Sequence, residues 1–173
     1  MLRQIAYEPK KIAPADICED CLPHVDPLPY VRSMALEKAQ KIAAEYPNEN
    51  ILACDTIVAV GKKILHKAKN DDEQTNVMNL LSGKTHRVIS SVCLINKNGK
   101  ISQKTVSSKI TMKKLTPEEI KSYVQSADWH GVCGYRIDGC IAAYVSRILG
   151  SYSGIIGLPL YETLNLLKGE NIR

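Results

Sequence analysis

The chain has 173 residues, 45% hydrophobic and 24% charged, a balance that excludes a disordered or fibrous segment and fits one compact domain spanning residues 1–173. Lysine and arginine exceed aspartate and glutamate by 23 to 18, a net charge of +5. That excess suits an anionic ligand. Without a basic cluster or an interleaved aromatic stripe it does not indicate nucleic-acid binding.

The opening residues Met1 to Pro9 have no apolar signal-peptide core, and no stretch approaches the roughly eighteen apolar residues of a membrane span, so the expected location is the cytoplasm. Of the six cysteines only Cys18 and Cys21 form a C-x-x-C pair, and the four histidines are scattered. A structural zinc site is therefore not expected, and reduced thiols are. Cys54 and Cys93 sit in apolar runs and read as small buried hydrophobes.

Residues 30 to 45 place Val31, Met34, Ala35, Ala39, Ile42 and Ala43 at three- and four-residue spacings, which predicts an amphipathic helix. Ile51 to Val60 is apolar apart from Asp55 and Thr56 and ends at Gly61, the pattern of a central strand covered on both faces. Asn70, with Glu73 three residues on, predicts a capped helix whose inner face is Val77, Leu80 and Leu81 and which stops at Gly83. Two strands follow, His86 to Asn96 and Ile101 to Lys113, and the Asn98-Gly99 turn between them predicts an antiparallel hairpin.

Thr116-Pro117-Glu118-Glu119 opens a helix to about Gln125. Ile141 to Leu149 reads as a strand, with a helix as the alternative, and Gly157-Leu158-Pro159 opens a closing helix. The order of elements predicts an α/β fold: a mixed, partly antiparallel central sheet flanked by helices.

Asp55 carries most of the chemical information, because a carboxylate inside a buried strand is costly unless something pairs with it. It marks either a ligand site or a structural aspartate bonded to backbone amides. Glu19, Lys38 and Lys67, taken singly, read as a solvated acid and two surface lysines.

Four segments, Ala35-Leu36-Glu37-Lys38-Ala39, Cys54-Asp55-Thr56-Ile57-Val58, Leu81-Ser82-Gly83-Lys84-Thr85-His86, and Gly150-Ser151-Tyr152 with Gly157-Leu158-Pro159-Leu160, together resemble the Maf family of nucleoside triphosphate pyrophosphatases. The resemblance implies a Maf or ITPase-like fold. It also implies hydrolysis of a nucleoside triphosphate to the monophosphate and pyrophosphate, with a divalent metal, usually Mg²⁺, and a homodimer.

Carried over by motif, Asp55 is the catalytic acid-base residue and, with Glu19, the metal-holding carboxylate. Lys38 and Lys67 are charged substrate-binding positions. The pair Asp55-Thr56, where other members have Asp-Gln, resembles the branch acting on dTTP and UTP, and implies that Thr56 lies near the base.

Two departures accompany the resemblance. Family members carry Ser-x-Ser-Pro-Arg-Arg near the start, and this sequence has no such segment, so the expectation is a domain lacking its usual first strand and phosphate-binding turn. In Trp129 to Gly139 the family's Lys-Ala-Gly has no clear counterpart, and Asp138 stands where the family has a substrate-binding glutamine. Arg136 beside it offers a phosphate contact or is simply exposed. These departures leave open an alternative: a catalytically weak or silent nucleotide-binding protein of the same fold, acting in cell division or septum control.

Overall fold

The computed structural model describes residues 1–17 and 26–172. After a short 3-10 turn at Leu2–Ile5 come helix α1 (Pro27–Glu45), strands β1 (Ile51–Val60) and β2 (Lys63–Leu65), and helix α2 (Asp71–Leu81). Strands β3 (Thr85–Ile95) and β4 (Ile101–Met112) and helix α3 (Pro117–Gln125) follow. The chain closes with a 3-10 turn (Cys140–Tyr144), strand β5 (Val145–Leu149) and helices α4 (Tyr152–Ile156) and α5 (Leu160–Gly169). No helix among the described residues is long and apolar enough to cross a membrane.

The local signals work as their chemistry dictates. The Asn70 side chain accepts a hydrogen bond from the Glu73 amide, and Thr116 and Glu119 form a reciprocal capping box below Pro117. In the β3–β4 turn the Asn96 side chain accepts from the amides of Asn98 and Lys100, while Gly99 takes φ +79°. Both strand lengths fall within one residue of the sequence expectation.

Among the described residues five strands lie in the order β2-β1-β3-β4-β5. All four pairings are antiparallel, where alternating elements suggested a mixed sheet. The reason is the route of the chain. It leaves β1 and enters β3 at the same end, with Ala59 opposite Arg87, so β2 and α2 form an excursion above that end instead of a crossover.

The run Ile141 to Leu149, expected as a strand, is a strand only from Val145. Ile141 is fully buried while Ala142 and Ala143 are exposed, which suits a tight turn around one anchor.

Period-two alternation sends odd and even residues of β1 to opposite faces. On one face α1 packs Val31, Met34, Ala35, Ala39 and Ile42 against Ile51, Ile57, Ile89 and Cys93. On the other, α5 covers Val92 and Leu94 at one end. At the opposite end α2 and α3 pack Met78, Leu81, Ile120 and Tyr123 over Val58, Val88 and Ile110.

Candidate active site

A cleft of about 860 Å³ opens beside β1, lined by residues of α1, the segment after β2 and the loop from Gly131 to Asp138. Lys38, Asp55, Thr56, Lys67 and Asp138 all line it; Glu19 lies outside the described residues. Asp55 points to the α1 face and Thr56 to the other, yet one cleft reaches both. The β2 ladder ends at Val58, so on that side the cleft wraps around the edge of β1.

Asp55 sits midway along β1, opposite Ser91 on β3, with its side chain 10% exposed. Its Oδ1 accepts a hydrogen bond from Lys38 Nζ at 2.5 Å. Lys38 is not a surface lysine. It falls in the same helical stripe as Val31, Met34, Ala35 and Ile42, at i+7, i+4, i+3 and i−4, and its side chain is 18% exposed. A helix and a strand that bury apolar residues everywhere else therefore each place one charge at the point where they meet.

Lys67 enters from the segment after β2, and its backbone forms an antiparallel bridge with Cys133. That bridge ties one wall of the cleft to the loop carrying Arg136 and Asp138. The loop is fixed from behind by buried polar contacts: Gln74 Nε2 donates to the Gly134 carbonyl at 2.7 Å, and His86 Nε2 meets the Tyr135 hydroxyl at 2.6 Å. The Arg136 amide donates to the Tyr123 hydroxyl at 3.3 Å. Gly134, at φ +77°, lets the loop close on β1, since a Cβ there would stand 3.3 Å from Val58 Cγ2.

On the other face Thr56 Oγ1 lies 2.7 Å from Ser90 Oγ, and Ser90 Oγ donates to the Gly154 carbonyl at 2.6 Å. Ser90 has one hydroxyl proton, and the carbonyl takes it. Thr56 therefore donates to Ser90 and turns acceptor lone pairs toward the cleft. The Gly157 carbonyl, 3.5 Å from Thr56 Oγ1, is too distant to compete.

Burial shifts the nearby titratable groups. It pushes the Cys54 thiol up to about 12, with the Asp55 charge adding to the effect, and it lowers buried His86 to about 4. The Tyr135 and Tyr123 hydroxyls are raised for the same reason, so both stay protonated near neutral pH.

A hard divalent cation takes carboxylate oxygens, and Mg²⁺ commonly uses one or two of them together with substrate phosphates. Asp55, a carboxylate on the cleft wall beside Lys38 and Lys67, fits that donor chemistry; Glu19, its partner by the family resemblance, lies outside the described residues. Among the described residues no group of three or more His, Cys, Asp or Glu side chains gathers as a metal cage.

Ser90, Gln74, His86 and Tyr135 support the site although no supporting role for them follows from the sequence motifs. Ser90 and Gln74 carried a usable signal, each a polar residue where the local pattern calls for an apolar one. The pairing of His86 with Tyr135, 49 positions away, left no local trace.

A family model described as Maf-like protein matches residues 1–170. The chain is 42% identical to the dTTP/UTP pyrophosphatase of Mesorhizobium japonicum over 180 residues, covering 100% of this chain and 86% of that protein. It is 42% identical to the dTTP/UTP pyrophosphatase of Paramagnetospirillum magneticum, covering 98% and 90%. A third similar protein, the dTTP/UTP pyrophosphatase of Caulobacter vibrioides, is 40% identical and covers 100% and 90%.

Proposed function

From the premise that the chain belongs to the Maf family, we propose that it hydrolyses dTTP or UTP at the bridge between the α and β phosphates, releasing the nucleoside monophosphate and pyrophosphate. The observation that carries this reading is the Lys38–Asp55 pair, 2.5 Å apart on the wall of a cleft that also takes Lys67.

Asp55 orients a water molecule and accepts its proton as the water oxygen bonds to phosphorus; the bond to the bridging oxygen breaks and pyrophosphate departs. Lys38 holds the Asp55 carboxylate in place and, with Lys67, offsets the negative charge of the polyphosphate. A divalent cation, Mg²⁺ by family resemblance, would be held by Asp55 with Glu19 and would neutralise phosphate charge and polarise the scissile centre.

Thr56, with its lone pairs facing outward, suits the imide N–H of thymine or uracil; cytosine offers no proton at that ring position. Asp138 lies on the same cleft in the place of the family's glutamine and contacts the substrate as an acceptor. By the same resemblance the enzyme works in the cytoplasm as a homodimer. Ile148 and Leu149, exposed on the edge strand β5, give a second copy apolar surface to cover.

The test is pyrophosphate release from dTTP with Mg²⁺ by the wild type and by Asp55→Asn. The variant should lose turnover by at least about 100-fold while still binding dTTP. A wild type that binds dTTP without releasing pyrophosphate, or an Asp55→Asn protein of undiminished rate, defeats the reading.

A further inference from the structure

We propose that Arg136 is a polyphosphate-binding residue of this cleft, exchanging loose contacts with Asp128 and Asp138 for phosphate oxygens. The inference rests on reading the cleft as a triphosphate site and adds a residue that the family motifs do not supply.

The backbone around Arg136 is held firmly. Gln74 and His86 secure the two preceding residues, the Arg136 amide is bonded to Tyr123, and Ile137 is 4% exposed in the core. The side chain is held far less. Its Nη2 is 3.5 Å from Asp138 Oδ2 and its Nε is 4.0 Å from Asp128 Oδ1, and the side chain is half exposed. Charge-assisted hydrogen bonds of this kind form at about 2.7 to 2.9 Å. Among the described residues the guanidinium donates none.

Asp128 is otherwise engaged, its Oδ2 accepting from the Cys140 amide at 3.2 Å. A rigid backbone therefore presents a fork of N–H donors, weakly satisfied, to the cleft that contains Lys38, Asp55 and Lys67. Phosphate oxygens carry more charge than one carboxylate and match the guanidinium in a bidentate manner. Little ordering remains to be done when such a ligand arrives, because the loop is already anchored. Asp138 serves as the counter-charge that keeps the guanidinium at the cleft wall until phosphate displaces it.

Arg136→Ala and Arg136→Lys should be compared with the wild type for the KM of dTTP, inhibition by pyrophosphate, inhibition by thymidine, and thermal stability. Arg136→Ala should raise the dTTP KM and the pyrophosphate inhibition constant together by roughly 10- to 100-fold, and Arg136→Lys should recover only part, since lysine keeps the charge without the fork. Thymidine inhibition and melting temperature should stay at wild-type values.

Pyrophosphate and dTTP constants within about twofold of wild type overturn the proposal, as does a parallel weakening of thymidine, which marks a purely structural role. If the wild type releases no pyrophosphate, the activity reading fails by itself. Calorimetric binding of pyrophosphate to wild type and Arg136→Ala then decides the question for Arg136, because it needs no turnover.

Discussion

Lys38 Nζ and Asp55 Oδ1 meet at 2.5 Å across the α1–β1 interface, joining the one lysine on the buried stripe of the helix to the one carboxylate on the strand. Two charges so placed are coupled more strongly than a surface pair, because water screens them less.

A double-mutant cycle with Lys38→Met, Asp55→Asn and the double variant should therefore return a coupling energy of roughly 1 to 3 kcal/mol in urea unfolding. Additivity within about 0.5 kcal/mol would show that the two side chains act independently despite their contact.

The same pair shows where the sequence was legible. Asp55 was conspicuous because a carboxylate interrupts an apolar strand, and that inference needs no partner. Lys38, taken singly, reads as a surface lysine and enters the site only through the family resemblance; its phase between Ala35 and Ile42 is the local signal that places it inside. The capped helices α2 and α3 and the β3–β4 hairpin were readable because each is closed by contacts within a few residues. The strand β2 was not, since three residues are too few to show a period. Nor was the uniformly antiparallel sheet, which follows from where β3 re-enters, a tertiary fact.

Ser90 is the test of how Thr56 is oriented. Removing its hydroxyl in Ser90→Ala frees the Thr56 proton to point into the cleft, so Thr56 can donate as well as accept. The ratio of kcat/KM for dTTP over dCTP should then fall, by roughly 10-fold if one hydrogen bond's polarity is at stake. An unchanged ratio in Ser90→Ala with a reduced one in Thr56→Val would leave the base contact standing and dismiss the relay; unchanged ratios in both would remove Thr56 from base recognition.

Cys54 neighbours the proposed catalytic carboxylate, yet its thiol is pushed up to about 12, first by burial and then by the Asp55 charge. Cys93 is raised to about 11 by burial. Neither holds a useful fraction of thiolate near pH 8, so neither is a nucleophile there. Iodoacetamide under native conditions should label exposed Cys140 well before Cys54 or Cys93, as read by peptide mass analysis. Labelling of Cys54 as fast as Cys140 would contradict its packing against the cluster of Val92, Leu94, Leu166 and Leu167.

His86 links the site to acid stability. Its imidazole is 2% exposed, with Nε2 against the Tyr135 hydroxyl, while Nδ1 lies toward the Lys84 backbone without a well-formed hydrogen bond. Burial lowers the folded-state pKa to about 4, against about 6.5 for an unfolded histidine. Above 6.5 both states are neutral and the group has no effect on stability. As the pH falls below 6.5 the unfolded chain takes up the proton first, so stability declines until the folded state titrates near 4. The loss from this residue should reach roughly 2 to 3 kcal/mol by about pH 4.5. His86→Gln keeps a hydrogen-bonding group toward Tyr135 and does not titrate, so its urea midpoint should fall less than that of the wild type between pH 7 and 4.5. Carboxylates that titrate in the same window contribute alike to both proteins and cancel in the comparison. Equal losses in the two proteins would mean that His86 titrates as freely in the fold as in the open chain, and that the loop carrying Tyr135 and Arg136 is not sealed from water.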